Sequence, residues 1–174
     1  EIRQTWPDLG VVASHEVSGE GREYERFVTT VIDAALIPIM SDYLRKLSVG
    51  LTEYGFDCPR YVLTSAGDAV TFEQGAAHPA TILESGPAAG HVAACRLGMA
   101  AGSEIVAFDM GGTTAKVGVS LGGRPILTKN LEVGRVAREQ PGSGYPVVLR
   151  SIELREISAG GGSIARIDPT GLLD

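Results

Sequence analysis

Between Val28 and Leu51 the apolar residues recur at Val28, Val31, Ile32, Ala35, Leu36, Ile39, Met40, Tyr43, Leu44, Leu47 and Leu51. Steps of three and four, sustained for roughly six turns, put them on one side of an α-helix and match neither the two-residue period of a strand nor a loop. A helix of this kind must bury its stripe against another layer, so the chain is committed to packed layers rather than to an isolated sheet or an extended tail. Pro38 falls inside the stripe, where the missing N–H and the crowding of the preceding turn predict a kink. Gly50 and Gly55 supply the stop.

The elements around this helix are short. Residues 1 to about 26 are polar and mixed, with Pro7, Gly10, Gly19 and Gly21, and read as loop plus a short strand. Arg60 to Thr64 is β-rich between Pro59 and Gly67 and reads as a strand. A weak helical stretch follows around Val70 to Gln74, then a second strand near Thr81 to Leu83. Ser85-Gly86-Pro87 offers a cap and an early proline, which predicts a helix from about Pro87 to Ala100, ended by Gly102. Ile105-Val106-Ala107-Phe108 is an uninterrupted apolar run, the pattern of a strand covered on both faces. Beyond Asp109 and a Gly-Gly-Thr-Thr turn, Val117, Val119 and Leu121 alternate with Gly118 and Ser120, and Gly122-Gly123 makes a two-residue hairpin into Arg124 to Thr128. Residues 130 to 145 read as exposed loop or short helix, and Val147 to Ile157 as one or two strands.

Composition narrows the function classes. A chain of 174 residues with 44% apolar content supports one core of ordinary size. Fifteen basic against twenty-one acidic side chains give a formal charge of −6, which repels nucleic acid and anionic membranes on average. Apolar runs are broken by Gly, Pro or charge before the ~18–20 residues that cross a bilayer, and no basic-then-apolar leader opens the chain. The expectation is a soluble, cytoplasmic protein. Cys58 and Cys95 have neither C-x-x-C spacing nor a histidine cluster, and read as free, buried thiols. His15, His78 and His91 are isolated and read as surface or hydrogen-bonded core. The chain opens on Glu1 without methionine and ends just after a Pro-Thr-Gly turn, as if cut from something longer.

Phe108-Asp109-Met110-Gly111-Gly112-Thr113-Thr114 is the strongest site candidate. A carboxylate at the end of a strand is held rigidly at a sheet rim, and two glycines let the backbone approach a ligand and turn its amides toward an anion. Thr113 and Thr114 add hydroxyl donors. Such a loop suits polyphosphate, with Asp109 holding Mg²⁺, which prefers one or two carboxylates plus phosphate oxygens. A hairpin that uses the same residues merely to turn is the equal alternative. Gly160-Gly161-Gly162-Ser163-Ile164-Ala165 formally fits a dinucleotide fingerprint, but Pro169 and Gly171 forbid the long helix that fingerprint needs. Packing against a nucleotide's base or sugar, or a structural bend, are the readings left. Ser85 serves most simply as a helix cap, and Leu83 stands where a nucleophile elbow needs glycine.

Four blocks together carry a resemblance: Ser14-His15-Glu16-Val17 with Arg22-Glu23-Tyr24-Glu25-Arg26 and Thr29-Thr30; Ser85-Gly86-Pro87-Ala88-Ala89-Gly90; Asp109 to Thr114; and Ala159-Gly160-Gly161-Gly162-Ser163-Ile164-Ala165. In this order they resemble the hydantoinase A/oxoprolinase family, which includes N-methylhydantoinase, 5-oxoprolinase and the related acetone-carboxylase subunit. The resemblance implies an α/β fold of ribonuclease-H-like, actin-like ATPase type (the acetate-kinase, sugar-kinase and Hsp70 superfamily), a mixed sheet with flanking helices. It implies that residues 1–174 are one fragment of the hydantoinase A domain, that ATP and Mg²⁺ are the cofactors, and that Asp109 is catalytic and holds the metal. Gly111, Gly112, Thr113, Thr114, Gly160, Gly161 and Gly162 would bind the nucleotide. The implied reaction is ATP-dependent opening of a cyclic amide, of hydantoin or 5-oxoproline type, by phosphorylation of the amide. A carboxylase subunit and a non-catalytic, nucleotide-responsive assembly module are the alternatives, with a sugar or acetate kinase last. The implied partners are a cyclic amide substrate, a second subunit of hydantoinase B type and further copies of the chain. One departure stands out: many members carry Thr-Asp-Val after the glycine-threonine segment, whereas Ala115-Lys116-Val117 here puts a cation where an anion is usual.

Overall fold

The computed structural model describes residues 2–6, 10–98, 104–136 and 142–172, apart from the side chain of Arg3. Two short helices, α1 (Ile2–Thr5) and α2 (Ser14–Val17), precede the long α3 (Glu23–Glu53). A hairpin of β1 (Tyr61–Leu63) and β2 (Ala69–Thr71) leads into α4 (Phe72–Ala77), a 3₁₀ turn at Pro79–Ile82, and α5 (Ser85–Gly98). The second half is β3 (Glu104–Met110), β4 (Ala115–Leu121), β5 (Arg124–Pro125), β6 (Leu127–Thr128), β7 (Leu131–Val133), β8 (Tyr145–Val147), β9 (Ser151–Ile152) and β10 (Leu154–Ile157). The architecture is α/β.

The sheet that matters for function has β4 at its centre, with β3 and β10 on either side and β5 pairing with the end of β4. Every strand pair among the described residues is antiparallel, so the expected mixed sheet is not what forms among them; the turns that join β3 to β4 and β4 to β5 are too short for the crossover a parallel pair needs. Gly122 and Gly123 take φ of +57° and +72° between paired Leu121 and Arg124, the two-residue turn read from the sequence. Arg124 to Thr128 is not one strand, because β6 leaves the sheet to pair with β9.

Helix α5 lies against β3 and also touches β4, β5 and β1. Ala88, His91 and Cys95, spaced at three and four, form its buried face. Two glycines permit the close approach: a Cβ on Gly118 would run into the His91 ring, and one on Gly98 would meet Ile105 Cδ1 at 2.7 Å. The other face of the sheet is bare. Val106 is 71% exposed and Phe108 59%, which corrects the expectation of a strand covered on both faces: an apolar run lacks the polar alternation that would have marked one face as open.

Helix α3 runs unbroken through Pro38 for 31 residues. Its deepest residues are Thr29, Asp33 and Leu44 rather than the whole apolar stripe, and Val31, Ile39 and Tyr43 are exposed. Polar anchoring explains this. Thr29 Oγ1 donates to Glu25 O at 2.7 Å and accepts from Val148 N at 2.9 Å. Asp33 accepts from Ala80 N at 2.8 Å and lies 3.4 Å from His78 Nδ1. An 18-residue window of this helix has mean hydropathy 1.4, long and apolar enough to cross a membrane by length and composition. The interruptions in the sequence are too few to prevent that, contrary to the initial reading.

Other differences are local. The first 26 residues hold two helical turns, and no strand among the described residues. Val70 lies in a strand, and the helix predicted there begins at Phe72, where Thr71 and Gln74 form a reciprocal cap. Thr81 lies in the 3₁₀ turn, with Ser65 donating to its carbonyl, so side-chain bonding replaces the ladder of the expected strand. Helix α5 begins at Ser85 itself, and its expected end at Ala100 and Gly102 lies outside the described residues. Both cysteines are free; Cys95 is buried but Cys58 is exposed.

Candidate functional site

Strand β3 ends at Asp109 and Met110, and β4 begins at Ala115, with Met110 opposite Ala115 and Asp109 opposite Lys116. Gly111 to Thr114 span the gap, closed by Gly111 N donating to Thr114 O at 2.9 Å. Both readings of the motif require a hairpin here, and a hairpin is what forms. What surrounds it distinguishes a mere turn from a binding loop.

A cleft of about 350 Å³ opens beside the loop, lined by Asp109, Gly111, Thr114 and Lys116 on the sheet side and by Glu84, Ser85, Gly86 and Pro87 on the other. The second group is the start of α5. A helix start leaves its first N–H groups without intrahelical partners and carries a partial positive charge, so two backbone features suited to anions face one space. The first intrahelical bond here is Ala88 N to Glu84 O at 3.2 Å. Asp109 is exposed, and its side chain makes no hydrogen bond or ion pair among the described residues. Its carboxylate is free to receive a ligand rather than spent inside the protein.

The glycine triplet does not line this cleft; it braces the loop from behind. Gly161 N donates to Gly111 O at 2.9 Å and Gly162 N to Gly112 O at 3.2 Å. A Cβ on Gly160 would stand 2.6 Å from Gly112 C, Gly112 O and Thr113 N. Gly160 is thus a close-approach glycine, its backbone pressed on the backbone of the Asp109 loop. Ser163 Oγ accepts from Gly160 N at 3.0 Å and closes the turn. Residues some fifty positions apart in sequence meet because β10 pairs with β4 and delivers the chain to the loop, Ile157 standing opposite Ala115.

Two cleft residues carried no assigned role in the sequence reading. Lys116 is ion-paired with Glu84 and lies 3.7 Å from Glu156. Glu84 is the one non-glycine among the described residues with a left-handed backbone, at φ +60°, a conformation that costs on the order of 1–3 kcal/mol and clusters at functional sites. The register would have exposed Lys116, since a four-residue loop after Asp109 fixes its cross-strand neighbour. No local signal marks Glu84. His91 lies behind the cleft, 2% exposed, with Nε2 2.7 Å from Ser120 Oγ and Nδ1 unpartnered. Burial pushes its pKa down from the usual 6.5. No cluster of three or more potential metal-ligating side chains occurs among the described residues.

Residues 26–174 match the hydantoinase/oxoprolinase family. The chain belongs to that family. Among curated relatives it is 40% identical over 171 residues to an uncharacterised protein of Methanocaldococcus jannaschii, MJ0964, covering 96% of this chain and 25% of that protein. It is 32% identical over 176 residues to caprolactamase subunit alpha of Pseudomonas jessenii, covering 99% of this chain and 24% of that subunit. Among solved structures, the ATP-dependent caprolactamase of Pseudomonas jessenii aligns with a TM-score of 0.70 at 28% identity, over 98% of this chain and 24% of that one. Nucleotide-free acetone carboxylase aligns with a TM-score of 0.72 at 24% identity, over 99% of this chain and 23% of that one, a likeness of fold alone. The chain spans about a quarter of the length of the relatives it matches.

Proposed function

We propose that this hydantoinase-family chain carries the phosphate-binding part of an ATP-dependent amidohydrolase that opens a cyclic amide by phosphorylating it. The observation that carries the proposal is the unpaired, exposed Asp109 in one cleft with Gly111 and Thr114 of the following turn and the start of α5. Family membership and the likeness to an ATP-dependent caprolactamase support the cyclic-amide class.

Asp109 suits Mg²⁺ that arrives with nucleotide phosphates, because Glu84, the other carboxylate of the cleft, is paired with Lys116, and one unpaired carboxylate leaves the remaining positions to phosphate oxygens and water. With the metal bound, the nucleotide supplies an electrophilic terminal phosphorus. The chain's own residues then have three tasks. Asp109 orients the terminal phosphate. The amide of Gly112 with the hydroxyls of Thr113 and Thr114 neutralises charge spreading onto its oxygens, aided by the start of α5, while the Gly111 amide holds the turn closed on Thr114 O. Gly160 to Gly162 keep the loop in place, a supporting part rather than a direct contact with base or sugar. The amide oxygen attacks the phosphorus and ADP leaves; one water adds to the activated carbon and the ring nitrogen departs as the amine, opening the ring as an acyl phosphate, and a second water releases phosphate to leave the carboxylate.

The name of the caprolactamase relative, subunit alpha, supports a second subunit in the working enzyme. Asp109→Asn in the intact protein tests the reading. Lactam-dependent ADP release should fall about 100-fold or more, while thermal unfolding shifts by less than about 0.5 kcal/mol because the side chain is exposed. Unchanged turnover would remove the proposal. Turnover that needs bicarbonate and a ketone instead of a lactam would move it to carboxylation.

A further inference from the structure

Lys116 lines the phosphate cleft and stands opposite Asp109 across the β3–β4 register. Its side chain is 13% exposed, and it is the one basic residue among the described residues that line that cleft. At rest its charge is spent. Glu84 pairs with it directly, and Glu156, its neighbour on β10, lies 3.7 Å away. The cleft therefore holds two carboxylates, Asp109 and Glu84, against one neutralised ammonium. A terminal phosphate entering such a space meets net repulsion unless Glu84 gives way.

Glu84 is placed to do so. Its side chain is 35% exposed, so its carboxylate can turn to water without a buried charge being left behind. Its left-handed backbone lies in the turn before α5, where strain favours leaving the present conformation. Exchanging a carboxylate for a phosphate keeps the largely buried ammonium paired throughout. Resting on the ATP-binding reading above, we infer that Lys116 grips the terminal phosphate of the nucleotide and that Glu84 is its resting-state counter-ion, displaced when phosphate arrives.

Calorimetric binding of a non-hydrolysable ATP analogue with Mg²⁺ to the intact protein tests this. Lys116→Met should weaken binding about tenfold or more, and Glu84→Gln should tighten it. The double variant decides: if Lys116 grips phosphate, affinity stays well below the parent's even with the Glu84 charge removed. If Lys116 only neutralises Glu84, the double variant recovers the parent affinity, and the inference is overturned while the nucleotide reading stands. Absence of binding by the parent protein would sink both. A second measurement avoids removing the lysine. In Glu84→Gln, Lys116 should be acylated readily by an amine-reactive reagent and protected by saturating analogue, and labelling unchanged by the analogue counts against the grip.

Discussion

A methyl group at residue 160 has nowhere to go. Its neighbours at 2.6 Å are backbone atoms of Gly112 and Thr113, which cannot rotate aside as a side-chain tip can. Gly160→Ala should therefore push the Asp109 loop out of register, costing about 1–3 kcal/mol of stability and lowering ADP release. The adjacent Gly161→Ala is its control, since a Cβ there meets only Gly111 O at an ordinary 3.7 Å. Thermal unfolding and turnover of the two variants check this, and equal behaviour would mean that the triplet does not brace the loop. The glycine at 160 thus makes room for the backbone of the Asp109 loop.

Among the elements, α3 is the least economical. It keeps Pro38 in its interior, where a missing hydrogen bond and a crowded turn weaken a helix by about 3 kcal/mol relative to alanine. Pro38 is exposed and the helix continues through it, so Pro38→Ala should raise the unfolding midpoint, measured by circular dichroism, with a gain of about 1–3 kcal/mol. A lower midpoint would mean that the proline's shape is used by something packed on that side. The helix is held from its other side by Thr29 and Asp33, whose hydrogen bonds reach Val148 and Ala80. Those two bonds tie the N-terminal helix to both the strand half and the 3₁₀ turn that introduces α5, and so help set where the cleft opens.

Stability of the whole molecule should depend on pH through His91. In the folded protein burial holds the ring neutral and lowers its pKa from 6.5; unfolded, it titrates near 6.5. Above that value both states are neutral and the full stability is present. As the pH falls below it, the unfolded chain takes up the proton first, so stability drops until the folded-state pKa is reached. Carboxylates held low by hydrogen bonds, Asp168 by Thr170 and Glu132 by the amides of Gly142 and Gly144, withdraw their contribution only at more acidic pH. Denaturant midpoints from pH 7.5 to 5 should slope downward in the parent protein and less steeply in His91→Gln; matching slopes would exclude the histidine as the cause.

The residues alone determined α3, the Gly122-Gly123 hairpin, the start of α5 to within a turn, and the family, because helical periodicity, glycine turns and ordered motif blocks are local patterns that survive without coordinates. They also marked Asp109 to Thr114 as a hairpin, but not whether it binds or merely turns, since the same residues serve both. They did not reveal that the sheet has a bare face, that Thr29 and Asp33 anchor α3 along with Leu44, or that Thr81 sits in a 3₁₀ turn, because burial is decided by which element comes to lie on which. Above all, only the tertiary structure joined Glu84, Asp109 and Lys116 around one cleft and set Gly160 behind it. Pairing of β10 with β4 and docking of α5 on β3 bring these distant positions together, and no spacing along the chain encodes that meeting.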